Sequence, residues 1–162
     1  MALITAAQVI ELSFTHQSFD TTLIKAAYIT MAELDFIKPV LGEDLYNLIA
    51  ADPSALTGKN LTLYSTYIKP AMAYYVKYLT LPDIFINTTT SGLQINNREF
   101  SNSGAAKDRA ELAAATLAVA RSFIENAVKY IEHTDNRAYF TTYTTSEETK
   151  VTGKIRGGII FE

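Results

Sequence analysis

Apolar residues recur at steps of three and four along most of this chain, and they do so longest between Gly104 and His133. Ala110, Ala113, Leu117, Ala120, Ile124, Ala127 and Ile131 fall on one face of a helix. Leu112, Thr116, Val119, Phe123 and Tyr130 form a second row, which widens that face enough to meet more than one neighbour. Asp108, Glu111, Ser122, Glu125, Lys129 and Glu132 take the opposite side, with Glu125 one turn before Lys129 in the favourable order. The stripe is built mostly of small residues, so another backbone can come close. That suits the central helix of a bundle or a contact between subunits.

Shorter helices precede it. Thr5 and Gln8 form a capping box, with Ile4 and Val9 spaced as a hydrophobic staple, and predict a helix to about Leu12. Asp20 caps the next, whose apolar positions are Ile24, Ala27, Tyr28, Met31 and Leu34, with Glu33 and Asp35 turned away. Pro39 is expected to end or kink this helix near Ile37, and Gly42 to give a turn before an acid-led helix from Glu43 to Ile49. After a loop rich in breakers, Thr62 is expected to cap a helix with Tyr67, Ile68, Ala71, Met72, Tyr75, Tyr78 and Leu79 on one face. That helix would bend at Pro70 and close at Pro82.

Two stretches alternate instead. Residues 84–97 carry no charge and read as a β-hairpin around Thr88–Gly92. After Asp135 and Asn136 the chain turns β-like. Tyr139, Thr141, Tyr143 and Thr145 alternate first, then Val151, Gly153, Ile155, Gly157, Ile159 and Phe161, with a turn at Ser146–Glu148. A two-stranded ribbon alone is marginal in water, so this segment should lean on its own core or on a neighbouring molecule. The pattern therefore predicts a mainly α fold: a helical bundle around one long central helix, with a β-hairpin insertion and a β-like C-terminal arm. The division is a helical domain over 1–137, with the hairpin at about 84–97, and an extended or hairpin arm over 138–162.

A length of 162 residues suits one domain, and a net charge of −3 gives no overall attraction to nucleic acid or anionic membrane. With no cysteine there are no disulfides, thiolate metal sites or Cys nucleophiles. Neither a signal peptide nor a membrane span is indicated. Chemistry is thinly represented. His16 and His133 stand apart with no ligand-spaced partners, and Glu33/Asp35 and Glu43/Asp44 read as solvated acids before they read as acid–base pairs. There is no phosphate loop and no nucleophile elbow. Tyr74, Tyr75 and Tyr78 near Lys69 and Lys77 could stack bases, but their helical spacing favours packing. Lys150, Lys154 and Arg156 share a face if their segment is extended, serving either as a solvated edge or for β-addition to a partner. Catalytic, cofactor and metal residues are accordingly expected to be absent.

The segment from Ala32-Glu33 to Tyr46, with its Leu41-Gly42-x-x-Leu45-Tyr46 core, and the stretch from Asn87 to Ile95 leading into the long helix carry a likeness. In this order of elements the chain resembles the head-tail connector proteins of tailed bacteriophages, also called adaptor or head-completion proteins, in particular a branch from phages of Bacteroidetes hosts. The resemblance implies a non-enzymatic virion protein, made in the host cytoplasm and placed in the neck. Its subunits would form a homo-oligomeric ring, a dodecamer, between the portal protein and the tail or further neck proteins. DNA would pass through the channel without sequence-specific binding, and no membrane would be involved. The candidate interface comprises Ala113, Leu117, Ala120 and Ile124 on the long helix, and Tyr139, Tyr143, Lys150, Lys154, Ile155, Arg156, Ile159 and Phe161 on the arm. The arm, from Tyr139 to Phe161, is longer and more β-like than a simple connector tail. Alternatives are a tail-terminator or tail-completion subunit, and a small helical ligand-binding domain with Tyr67, Tyr74, Tyr75 and Tyr78 lining a pocket.

Overall fold

The structure, a computed structural model, describes residues 2–14, 20–89, 92–95 and 104–143. Helix α1 (Ala6–Ser13) begins where the capping box places it. The Thr5 hydroxyl accepts from the Gln8 amide at 3.3 Å, and the Gln8 side chain accepts from the Thr5 amide at 3.1 Å. Ile4 and Val9, the staple pair, are both buried. Asp20 caps a short 3₁₀ turn (Thr21–Leu23), ahead of α2 (Ala26–Ala32).

Pro39 does not stop the helix that follows. α2 runs into a π-helical turn (Glu33–Ile37) and then α3 (Lys38–Leu41). A proline inside a helix donates no hydrogen bond, and its ring presses on the carbonyl four residues back. Widening the turn ahead of it relieves that clash, and the Lys38 amide accordingly bonds the Glu33 carbonyl, five residues back. The same device recurs before Pro70. α5 (Gly58–Thr62) passes through a π-helical turn (Leu63–Ile68) into α6 (Lys69–Phe85), and the Lys69 amide bonds the Tyr64 carbonyl. Two boundaries differ from expectation. Thr62 lies inside its helix, its hydroxyl donating to the Gly58 carbonyl, and α6 continues through Pro82. Between α3 and α4 (Glu43–Ala51) Gly42 sits at φ 77°, a left-handed position that a Cβ would strain.

The centre of the molecule is α6. Ala71, Met72, Ala73, Tyr75, Val76, Thr80 and Leu81 are buried on every side of it, because α1, α2 and α7 (Gly104–Glu132) all pack there. Tyr67 meets Tyr130 with ring centroids 5.3 Å apart, and Tyr74 meets Phe123 at 6.0 Å, so α6 and α7 run antiparallel. Phe36 stacks on Tyr75 at 4.2 Å and brings the first π-turn onto the same core.

The expected fold class therefore needs correction, although its mainly α character stands. The long helix α7 is peripheral, not central. Its buried residues Thr116, Ala120, Ile124, Ala127 and Ile131 form a narrow stripe, whereas Leu112 and Val119 of the second row are 43% and 39% exposed. Among the described residues no β layer takes part in the core, and the β-hairpin insertion does not form to its expected extent, because α6 runs on to Phe85. The only pairing among the described residues is four residues against four, β1 (Ile86–Thr89) with β2 (Gly92–Ile95), antiparallel with Ile86 opposite Ile95. The β-like arm is overturned where it can be followed. α8 (Thr134–Arg137) is helical, and 138–143 continue as turns, with the Tyr139 amide bonding the Asn136 carbonyl and the Tyr143 amide bonding that of Phe140. The reason is a buried anchor. Asn136 donates from Nδ2 to the Tyr130 carbonyl at 2.8 Å, and Phe140, 4% exposed, sets its ring edge-on to Tyr130. The rest of the expected arm, 144–162, lies outside the described residues.

Candidate assembly surface and polar sites

Between Glu111 and Arg121 the sequence contains no charge, and Leu112-Ala113-Ala114-Ala115-Thr116-Leu117-Ala118-Val119-Ala120 is apolar around nearly the whole helix circumference. A helix of that kind is ordinarily covered on all sides. Here α6 covers one side. Thr116 and Ala120 are buried and Ala113 and Leu117 half-buried, while Leu112, Ala114, Ala115, Ala118 and Val119 are exposed. Met31 and Leu34, three residues apart, expose a second apolar face at 44% and 50%.

The candidate interface residues thus divide. Ala120 and Ile124 belong to the chain's own core; Ala113 and Leu117 sit at its edge beside the exposed face. Tyr139 is half-exposed, edge-on to Phe140 and under the Lys59 ammonium. Tyr143 is partly buried, and its hydroxyl has no hydrogen-bond partner among the described residues. Burial, and secondarily the charge of Glu132, push its pKa up to about 12. Lys150, Lys154, Ile155, Arg156, Ile159 and Phe161 lie outside the described residues. The four tyrosines expected around one pocket do not converge. Tyr75 is buried against Phe36, and half-buried Tyr74 packs on Phe123. Tyr67 lines a hollow at one end of the α6–α7 pair, and Tyr78 a smaller groove at the other, with Pro82, Arg109 and Ala113.

Two polar features escaped the pattern of residues. Glu33, 7% exposed, accepts from the Leu3 amide at 2.6 Å and from the Tyr46 hydroxyl at 3.2 Å. The Tyr64 hydroxyl donates to the Leu3 carbonyl at 2.5 Å, so both polar groups of that backbone unit are held. Burial, and then the Glu33 charge, raise the pKa of Tyr46 and of Tyr64. Lys77 donates to the Ser13 carbonyl at 2.6 Å, at the end of α1, and lies 4.9 Å from the Phe14 ring centroid; burial lowers its pKa. A third polar contact is at the surface. Asp83 accepts from Lys25 at 2.5 Å and Tyr28 at 2.7 Å, tying the start of α2 to α6, and the Lys25 hydrogen bond foremost lowers its pKa.

Among the described residues no three His, Cys, Asp or Glu side chains gather as a metal site, and no helix is long and apolar enough to cross a membrane. Among the described residues the geometry presents an exposed apolar face on α7 beside a buried core. No curated protein and no solved structure matches the chain. Residues 37–153, from the first π-turn through the long helix and beyond, match a family described as a family of unknown function (DUF6712), and the chain belongs to that family.

Proposed function

We propose that this chain is a structural subunit of a tailed-phage neck, a head-tail connector protein that assembles as a ring between portal and tail and lines the DNA channel. The observation that supports this reading is the segment Leu112–Ala120, apolar around the helix but, among the described residues, covered only on the α6 side. Its exposed alanines allow close approach of a second helix, and its lack of charge suits an equally uncharged partner. Met31 and Leu34 give the same molecule a different apolar face. Two unlike faces are what head-to-tail contacts need, and such contacts make a ring when the rotation between neighbours closes, whereas one self-complementary face gives a two-fold pair. The mechanism is then geometric. Each contact is weak, and symmetry multiplies it into a stable collar.

Analytical ultracentrifugation and negative-stain imaging of the full-length protein, alone and mixed with the portal protein of the same phage, test the proposal. The expected result is concentration-dependent assembly into rings, or rings formed on the portal. A protein that stays monomeric at high concentration and ignores the portal overturns it.

A further inference from the structure

The hollow at the C-terminal end of α7 has a chemistry that an assembly surface does not require. It is open, about 590 Å³, and lined by Tyr67, Asn126, Lys129, Tyr130, His133 and Asn136. That set holds one ammonium, one imidazole, two amides and two phenols; no carboxylate is among the six, and that of Asp135 lies 3.6 Å from the His133 Nδ1. Carbonyls at a helix C-terminus would normally repel an anion there. In this protein two carbonyls at that end are engaged. The Asn136 side chain holds the Tyr130 carbonyl at 2.8 Å, and the Asn136 and Arg137 amides hold the His133 carbonyl at 2.8 and 2.9 Å.

His133 is oriented by the same turn. Its Nδ1 faces Asp135, accepting from that amide at 3.3 Å as the cap of α8 and lying 3.6 Å from that carboxylate, which leaves Nε2 as the nitrogen open to a ligand. Asn136, 8% exposed, is a fixed wall. Tyr67 and Tyr130, 5.3 Å apart, form an aromatic floor on the α6 side. We infer that this hollow binds a phosphate oxyanion, with Lys129 supplying charge, and Nε2 of His133 and the Asn126 amide supplying directed hydrogen bonds. The inference is independent of ring assembly, since the six lining residues all belong to one subunit.

NMR titration of the full-length protein with inorganic phosphate, at constant ionic strength against chloride, tests it. The ring signals of His133 and the side-chain amides of Asn126 and Asn136 should shift saturably. Lys129→Gln should weaken binding about tenfold, as expected for loss of one charge-assisted contact. Lys107→Gln, about 33 Å away along α7, should leave it unchanged. His133→Asn keeps an acceptor for the Asp135 amide but removes the imidazole donor, and should weaken binding severalfold. A short duplex DNA is the second arm. Displacement of phosphate from the same signals supports the site with a nucleic-acid backbone as its source, and undisturbed phosphate binding supports it with free phosphate as the source. Shifts that chloride reproduces, or a Lys129→Gln protein that binds phosphate as the parent does, would overturn the inference.

Discussion

Glu33 stands four residues after Ile29 and four before Ile37, both buried, so helical spacing aims it into the apolar face. A carboxylate survives there only because two donors meet it, one from the amino-terminal segment and one from α4. Removing the acceptor leaves the buried Leu3 amide and the half-buried Tyr46 hydroxyl without this partner. Glu33→Ala should therefore cost about 3 kcal/mol in urea unfolding, while Glu33→Gln, which still accepts from Leu3, should cost about 1 kcal/mol. Equal losses would show that shape, not hydrogen bonding, holds the node. The spacing was legible in the sequence, yet Glu33 reads as an outward acid because its donors lie 30 residues before and 13 after it. The tyrosines carry a pH signature as well. Tyr46, Tyr64 and Tyr143 have folded pKa values above the ordinary phenol value, so above about pH 10 the unfolded chain gives up protons that the folded protein keeps. Their contribution is complete below about pH 10 and is lost as pH rises, for Tyr143 up to about 12. Stability should fall steeply through that window, with tyrosinate absorbance following unfolding, and Tyr143→Phe should make the fall shallower.

At the scale of elements, each π-turn amounts to one extra residue in a helix that has a proline to accommodate. The second turn is in register with the core at both of its ends and beyond: Leu63 and Tyr64 at its start, Ile68 at its end and Ala71 after it are all buried. Deleting exposed Thr66 in a Pro70→Ala background should convert the turn to ordinary α-helix and keep both flanks in place, so cooperative thermal unfolding persists. Deleting exposed Ser122 from uninterrupted α7 rotates everything beyond it by about 100°. Ile124, Ala127 and Ile131 then leave the core, and cooperativity should be lost. Circular dichroism melts distinguish the two outcomes. The sequence shows a proline inside a helical pattern and no more; whether the helix ends, bends or widens depends on which faces the tertiary packing must keep aligned. α7 was legible to within a residue because its period runs for about eight turns without a breaker. Tyr139 and Tyr143 were not. An alternating Tyr/Thr stretch fits a strand and fits successive turns equally well, and the burial of Phe140 between them decides for turns.

For the whole molecule, the division of α7 into a covered and an exposed half lets folding and the proposed association be tested apart. Leu112 and Val119 touch solvent in the single subunit, so Leu112→Glu with Val119→Glu should change unfolding free energy by no more than about 0.5 kcal/mol per site. Ile124, on the covered side between Ala120 and Ala127, is 8% exposed, and Ile124→Ala should cost about 2–5 kcal/mol. If the uncovered half meets another copy, charges at 112 and 119 place two unpaired carboxylates in an apolar contact, and the protein should remain monomeric by sedimentation while melting as the parent does. Ile124→Ala should do the reverse, melting early but assembling at low temperature. The pair of outcomes matters more than either alone. Loss of assembly with an intact melt assigns the apolar half of α7 to the subunit contact, whereas a double mutant that assembles normally removes the one surface from which a ring has been argued, and the connector reading with it.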